Sequence, residues 1–198
     1  MKKMHVIQLV SALLLAAHLT SANAITIDIL PTEQTVLLGD QVGVDIWVSD
    51  LGDNFALGDF DFDLSFDSSI ISFDSVSFGS GLGDSWQDYS ATGGLLNLNE
   101  LSWETAGSLL ANQPMNFSLA TILFNTEAIG STQVSFSTVW ALGDQWGNPF
   151  DFTTSDGTIN VIGGVNPVPL PGSLPLMLSG LIAAGFVRYK KQLLSRFK

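Results

Sequence analysis

The sequence predicts an all-β domain between residues 25 and 165, a two-sheet sandwich of about nine short strands. Apolar residues alternate with polar ones at a period of two, most clearly in 41–48 and 59–67, as in strands that have one buried face. No part of this segment has the apolar period of an amphipathic helix of three turns. The tripeptide Leu-Gly-Asp recurs five times, and its glycine and aspartate favour the turns that connect strands.

The strands are predicted in order along the chain from their composition. Alternation of apolar with polar residues identifies 41–48 and 59–67. The further candidates are 25–29, 35–38, 70–78, 95–101, 117–124, 133–139 and 157–162. The domain contains no cysteine, so burial of these apolar faces has to stabilise it without disulfides.

Charge is distributed along the chain in three blocks. The seven Lys and Arg residues are Lys2, Lys3 and five residues within 188–198, whereas all 19 Asp and Glu residues lie between Asp28 and Asp156. Basic residues that flank apolar segments stay on the cytoplasmic side of a membrane. The distribution therefore predicts a chain whose acidic middle part is exported and whose basic ends are not.

The first 24 residues are predicted to be a secretory signal peptide. Lys2 and Lys3 precede a mostly apolar stretch, 6–19, and Ala22 and Ala24 supply the small side chains that signal peptidase requires. The alternative is a retained N-terminal membrane helix, but crossing a bilayer of ~30 Å takes roughly 20 apolar residues. We expect cleavage after Ala24.

Residues 166–198 are predicted to be a second membrane signal. The segment 171–187 is mostly apolar and is near the lower length limit for a spanning helix. Arg188, Lys190 and Lys191 follow it as a stop-transfer signal that remains in the cytoplasm. The alternative is a buried C-terminal helix of the domain, but the abrupt basic end favours a membrane helix.

The residues that lead into this segment are Val168, Pro169, Leu170, Pro171 and Gly172. With the apolar stretch and basic cluster behind them, they resemble the PEP-CTERM sorting signal in its VPLPA-type variant. Leu170 replaces the glutamate of the main motif, and Gly172 replaces the alanine of the variant. The resemblance implies that an exosortase, a membrane cysteine protease, cleaves near the motif and delivers the protein to the cell surface or releases it. The family occurs in Gram-negative bacteria that produce exopolysaccharide.

The domain itself has a second resemblance. Five segments carry it: Leu-Gly-Asp-Gln-Val-Gly-Val at 38–44, Leu-Gly-Asp-Phe-Asp-Phe-Asp at 57–63, Ile-Ser-Phe at 71–73, Gly-Ser-Thr-Gln-Val at 130–134 and Asp-Gly-Thr-Ile-Asn-Val at 156–161. Their order is similar to that of cohesin-like domains. The resemblance implies a jelly-roll sandwich, related in fold to carbohydrate-binding modules. It also implies a sheet face that binds a protein partner, which is a dockerin in cellulosomal cohesins.

The missing residue types exclude most catalytic chemistry from the domain. Residues 25–187 contain no Lys, Arg, His or Cys, which excludes a Ser-His-Asp triad, a cysteine nucleophile, a Cys and His zinc site and a lysine Schiff base. An acidic domain is repelled by nucleic acid, so no nucleic-acid partner is expected. A small glycosidase with Glu100 and Glu104 beside Trp103 is a distant alternative. Surface carboxylates are more often solubilising, and we predict no enzyme.

One acidic group is a hypothesis for calcium, the one cofactor considered. Asp59, Asp61 and Asp63 lie on one side of a predicted strand, about 7 Å apart in succession, and a hard divalent cation would relieve their repulsion. Leu64 and Ile70 stand where an EF-hand loop needs Gly and Glu, so that motif is absent. A solvated strand face is the alternative that the sequence favours.

Aromatic residues are the other candidates for binding. All five tryptophans, including Trp103 and Trp140, could build a platform for sugar rings together with Tyr89. The residues proposed for it are Trp47, Trp86, Tyr89 and Trp146, with Trp47 opposite the apolar side of its strand and Trp86 and Trp146 in predicted loops. Packing of these side chains under long loops is the alternative.

These observations together predict an exported, non-enzymatic protein of the cell surface or extracellular matrix. Its domain binds polysaccharide or a protein, and the C-terminal helix anchors it transiently or stably. The alternative is an acidic structural matrix protein that associates with itself or with calcium.

Overall fold

The computed structural model describes residues 24–164 as eleven strands and one short helix. The strands are β1 (Ile25–Leu30), β2 (Glu33–Leu37), β3 (Gln41–Ser49), β4 (Leu57–Ser65), β5 (Ile71–Phe78), β6 (Ser85–Thr92), β7 (Leu95–Ser102), β8 (Phe117–Thr126), β9 (Gly130–Asp144), β10 (Phe152–Ser155) and β11 (Gly157–Ile162). The helix α1 (Ala106–Asn112) joins β7 to β8, and the Thr105 hydroxyl caps it by accepting a hydrogen bond from the Ser108 N–H.

The strands form two sheets, which confirms the predicted two-sheet all-β fold. The five-stranded sheet has the order β10-β1-β3-β8-β5, and the six-stranded sheet has the order β2-β11-β9-β4-β7-β6. Pairing is antiparallel except for β1 with β10 and β2 with β11, which are parallel. The chain changes sheet at every connection between consecutive strands except that from β6 to β7.

The core lies between the sheets and consists of the inward residues of alternating strands. In β4, Phe60, Phe62 and Leu64 are fully buried, while the aspartates between them are only partly covered. The rings of Phe60 and Phe62 stack with centroids 5.0 Å apart. Burying a side chain of this size contributes about 1.5–3 kcal/mol, so the core stabilises a domain that contains no cysteine.

All nine predicted strands occur, and two further strands, β6 and β10, were not predicted. β6 has the sequence Ser-Trp-Gln-Asp-Tyr-Ser-Ala-Thr and is exposed along almost its whole length, so it lacks the apolar alternation that reveals a half-buried strand. β10 has only four residues. Trp86, assigned to a loop from the sequence, therefore lies in an edge strand.

The Leu-Gly-Asp tripeptides do not all form turns. The copies at 38–40, 51–53 and 82–84 do, and their glycines have φ of 95°, 76° and 65°. The copies at 57–59 and 142–144 pair with each other in the antiparallel ladder of β4 and β9, where Leu57 lies opposite Asp144 and Asp59 opposite Gly143. The turn interpretation is therefore wrong for these two copies.

The predicted signal peptide and sorting signal lie outside the described residues, apart from Ala24 at the boundary. Within residues 24–164 no helix is long and apolar enough to cross a bilayer.

Candidate binding face

The outer surface of strands β9, β4, β7 and β6 forms a continuous face, which we call the acidic-aromatic face. Strand pairing arranges its residues in rows that cross the sheet. The rows are Gly143, Asp59, Leu101 and Trp86; then Ala141, Asp61, Asn99 and Asp88; then Thr138, Asp63, Asn97 and Ser90. Neighbouring strands are about 4.8 Å apart, so each row of four residues spans about 14 Å of sheet surface.

The carboxylates of this face are fixed by neutral hydrogen-bond donors. Asn97 Nδ2 donates to Asp61 Oδ1 at 2.8 Å and to Asp63 Oδ1 at 2.9 Å. Asn99 Nδ2 donates to Asp61 Oδ2 at 3.2 Å, and Trp140 Nε1 donates to Asp63 Oδ2 at 2.9 Å. The carboxylates thus lie side by side without a cationic side chain between them, and their positions are set by amide and indole groups.

The sequence correctly places Asp59, Asp61 and Asp63 on one side of β4. Burial raises the pKa of Asp59, and repulsion from Asp144 raises it further. Among residues 24–164 no group of three or more His, Cys, Asp or Glu side chains is arranged to hold a metal ion. Calcium at these three residues stays a prediction.

Large apolar side chains flank the carboxylates. Trp140 is 67% exposed, Trp103 is 69% exposed and Trp86 is 47% exposed. Trp86 pairs across the ladder with the exposed Leu101, and Trp103 follows β7 directly, its N–H donating to the Asp84 carbonyl. Exposed aromatic residues grouped on a rigid sheet are typical of binding surfaces.

The four residues proposed from the sequence as a sugar platform do not form one surface. Trp47 lies in β3 of the other sheet and is half-buried, and Trp146 lies in the loop after β9. Trp86 and Tyr89 are three residues apart in β6, so they project from opposite sides of the strand. Tyr89 contacts Phe73 with ring centroids 5.7 Å apart. Of the four, only Trp86 belongs to the acidic-aromatic face.

The sequence names Trp140 among the possible platform residues but does not place it beside Asp63, because it lies where β9 departs from regular pairing. Asp61 pairs with Ala141 and Phe62 with Val139, which leaves Trp140 as the extra residue of a β-bulge. The sequence alternation ends at this bulge. A bulge commonly redirects a side chain next to a functional surface, and here the indole reaches Asp63.

A well-fixed loop presents Trp146 beside the β4–β9 end of the sheet. The Asp144 carboxylate accepts hydrogen bonds from the N–H groups of Trp146 at 2.8 Å and Asn148 at 2.9 Å. Burial alone would raise the pKa of Asp144, but the hydrogen bonds from Asn148, Trp146 and Gly147 outweigh it and lower the pKa. Gln145 accepts from the Ala56 N–H and so ties the loop to the start of β4.

Glu100 does not lie on this face. It points into the sandwich opposite Phe60 and is 1% exposed, so the glycosidase alternative lacks a surface carboxylate at this position. Oε1 accepts hydrogen bonds from Ser85 Oγ at 2.6 Å and Gln87 Nε2 at 2.9 Å, and Oε2 has no partner among the described residues. Burial raises the pKa of Glu100, and the two hydrogen bonds lower it by less.

Solved structures that resemble the described residues are cohesin modules. The OlpA cohesin of Clostridium thermocellum in a cohesin–dockerin complex superposes with a TM-score of 0.61 at 18% identity, over 71% of this chain and 100% of that chain. A non-cellulosomal cohesin from the archaeon Archaeoglobus fulgidus gives 0.57 at 17% identity, over 71% and 92%. The sixth cohesin of Acetivibrio cellulolyticus scaffoldin B, solved with a dockerin, gives 0.58 at 20% identity, over 70% and 99%.

No protein-family model and no curated protein matches the sequence. At these identities the structural similarity establishes the fold, a cohesin-like jelly-roll β-sandwich, and this confirms the fold that the resemblance implied.

Proposed function

We propose that the domain is a non-enzymatic binding module and that a protein partner docks on the acidic-aromatic face. The observation that carries the proposal is the presence of Trp86, Trp103 and Trp140 as exposed side chains on and beside one sheet surface. A tryptophan buries up to about 250 Å² when covered, and tryptophans are enriched among the residues that dominate binding energy. The similarity to cohesins solved in complex with dockerins supports a dockerin-like partner.

Rigidity of the face supports the same conclusion. The outward side chains of β4 are backed by fully buried Phe60, Phe62 and Leu64, and the amide and indole hydrogen bonds fix Asp61 and Asp63. A surface that is already ordered loses little conformational entropy on binding. The face is thus suited to a specific and lasting contact.

The test uses a photo-crosslinking amino acid introduced into the full chain at residue 88, on the face, or at residue 45, on the other sheet. We expect the amino acid at residue 88 to crosslink the chain to one partner protein and the amino acid at residue 45 to give no crosslink. With the purified adduct partner, W86A/W140A should raise the Kd by about 100-fold or more, whereas W146A should change it less than about threefold. Equal losses in both variants, or an adduct at residue 45 alone, would contradict the proposal.

A neutral polysaccharide is the second candidate ligand, and one observation favours it. Asn97, Asp61 and Asp63 place hydrogen-bonding groups beside the exposed ring of Trp140, a combination that suits sugar hydroxyls and the apolar face of a sugar ring. Retention of the full chain on immobilised neutral exopolysaccharide, lost in W86A/W140A and kept in W146A, would establish this function instead. No retention would eliminate it.

Delivery to the cell surface is the remaining part of the proposal. It rests on the predicted cleavage after Ala24, the motif 168–172 and the basic cluster behind the segment 171–187. Mass spectrometry of the protein from the cell envelope and from the medium tests it. An N-terminus at Ile25 and a C-terminus between Pro169 and Gly172 are expected from signal peptidase and an exosortase; an intact Lys198 in every fraction would contradict the sorting step.

The structural alternative, an acidic matrix protein that associates with itself or with calcium, makes a different prediction. It requires oligomers that form on addition of calcium and disappear on chelation, without any partner protein or glycan. Size-exclusion chromatography of the full chain with and without calcium separates it from the binding module.

A further inference from the structure

We propose that the protein partner presents a basic surface, rich in Arg and Lys, to the acidic-aromatic face. The inference rests on the proposed function and names the partner's chemistry. Four carboxylates lie on the face: Asp59, Asp61, Asp63 and Asp88. The groups that donate hydrogen bonds to Asp61 and Asp63 are Asn97, Asn99 and Trp140, which are all neutral, so the negative charge of these two carboxylates is left uncompensated.

The domain itself has no cationic side chain to supply. Residues 25–187 contain no Lys, Arg or His, so no rearrangement of this domain can pair the carboxylates. Covering an ionised carboxylate with an apolar or acidic surface removes its hydration without replacement and is strongly unfavourable. A basic partner surface replaces that hydration with the opposite charge, and the face therefore favours Arg and Lys over neutral or acidic residues.

The aromatic side chains favour the same chemistry. The indole N–H of Trp140 is already bonded to Asp63, so the faces of its ring are what remains for a partner. A guanidinium over such a ring gains a cation–π contact, and the neighbouring carboxylates of Asp61 and Asp63 can accept its N–H groups. Arginine satisfies both requirements with one side chain.

The combination of carboxylates with exposed tryptophans distinguishes the acidic-aromatic face from the outer surface of the five-stranded sheet. That surface is also acidic, but Asp45 accepts from the Thr121 hydroxyl, Asp74 accepts from Gln41 Nε2 at 3.0 Å, and Trp47 is half-buried. It offers a charge without an exposed tryptophan beside it. Non-specific attraction between a basic probe and an acidic protein would involve both surfaces alike. The outer surface of the five-stranded sheet is therefore the matched control.

The test measures binding of the full chain to two peptides of the same length, one alternating Gly with Arg and the other Gly with citrulline, the neutral isostere. We expect the arginine peptide to bind and the citrulline peptide not to bind. Raising sodium chloride from about 50 to about 300 mM should weaken binding about tenfold. D61N/D63N should weaken it about fivefold or more, and the matched variant D45N/D74N less than about twofold.

Two outcomes would overturn the inference: equal weakening by D61N/D63N and D45N/D74N, or equal affinity for the arginine and citrulline peptides. The crosslinked partner separates this failure from failure of the proposed function. If W86A/W140A releases that partner and D61N/D63N does not, the face binds a protein whose surface is not basic. If neither variant releases it, both statements are wrong.

Discussion

Replacing Glu100 by Gln should stabilise the protein at neutral pH, even though the residue is buried in the core. Glu100 is the one buried glutamate among the described residues, and its Oε2 has no hydrogen-bond partner there. The side chain lies between Phe60 of β4 and Gln87 of β6 in the ladder. No basic residue exists in the domain to pair with it. A negative charge at this position is therefore unfavourable for folding.

The size of the gain in stability depends on which hydrogen bonds the glutamine side chain keeps and on the removal of the negative charge. The amide oxygen can still accept the hydrogen bonds that Ser85 and Gln87 now give to Oε1. The new NH₂ group takes the position of the unpartnered Oε2 and costs about 1–3 kcal/mol as a buried neutral donor, less than a buried charge at the same place. We expect a net gain of about 1–2 kcal/mol in the free energy of unfolding at pH 7. For a domain of this size that raises Tm by about 3–6 °C.

The pH dependence gives the sharper test. The pKa of Glu100 is raised in the folded state. The contribution of this residue to stability is therefore most favourable below its pKa in the unfolded chain, and it is lost as the pH rises through its pKa in the folded state. Wild type and E100Q should therefore be nearly equally stable at about pH 4, where Glu100 is protonated, and should diverge towards pH 7. Tryptophan fluorescence of the full chain during urea unfolding, at several pH values, measures the difference.

The exposed Glu33 provides the matched control. It accepts a hydrogen bond from Asn160 Nδ2 at the edge strand β2, and E33Q should change stability by less than about 0.5 kcal/mol at either pH. If E100Q is less stable than wild type by the same amount at pH 4 and pH 7, the carboxylate is not destabilised by burial and the reasoning fails.

Three further predictions follow from the packing and the loops. F62A should lower the free energy of unfolding by about 3–5 kcal/mol in urea titration, because it leaves a cavity in the centre of the core; a loss below about 1 kcal/mol would mean that the ring does not fill the core. D144N should destabilise the protein by about 1–2 kcal/mol at pH 7, because the asparagine accepts the loop hydrogen bonds less strongly than the carboxylate. Since the pKa of Asp144 is lowered, the difference between the two proteins should shrink as pH falls below about 4. A difference that does not change with pH would show that the charge of Asp144 does not stabilise the loop. G79A should lower Tm, since a Cβ there overlaps the Ser118 carbonyl oxygen, whereas G107A, with open space around it in α1, should raise Tm slightly; the reverse order would show that the close approach at Gly79 is not maintained.

The sequence predicted best those strands whose two sides differ in polarity. β3 and β4 are buried on one side and half-exposed on the other. Their sequences therefore alternate between apolar and polar residues, and this alternation predicts them. β6 is an edge strand with little buried surface, so its sequence carries no such contrast. Its existence depends on hydrogen bonds to β7, which are contributed by backbone groups that every residue has.

The candidate face was only half predictable for a related reason. Spacing alone places Asp59, Asp61 and Asp63 on one side of a strand, but the groups that surround them come from β7 and β9. Asn97 reaches them through the register of β4 with β7, and Trp140 reaches them through a bulge. Register and bulges are settled by the packing of the whole sheet, and local periodicity does not contain them.

The Leu-Gly-Asp tripeptide shows the same limit within three residues. At Gly39 and Gly83 the glycine has a positive φ and makes a turn, for which its conformational freedom is required. At Gly58 and Gly143 the identical tripeptide is extended. A Cβ at Gly58 would lie 2.5 Å from the Asp144 carbonyl oxygen on the neighbouring strand, and a Cβ at Gly143 would displace the Asp59 carboxylate. One sequence thus satisfies two different steric constraints, and which of them applies depends on the strand opposite. The close approach of these two copies also brings Asp59 near Asp144, the second cause of its raised pKa, so a pairing that local sequence does not reveal sets the electrostatics at this end of the acidic-aromatic face.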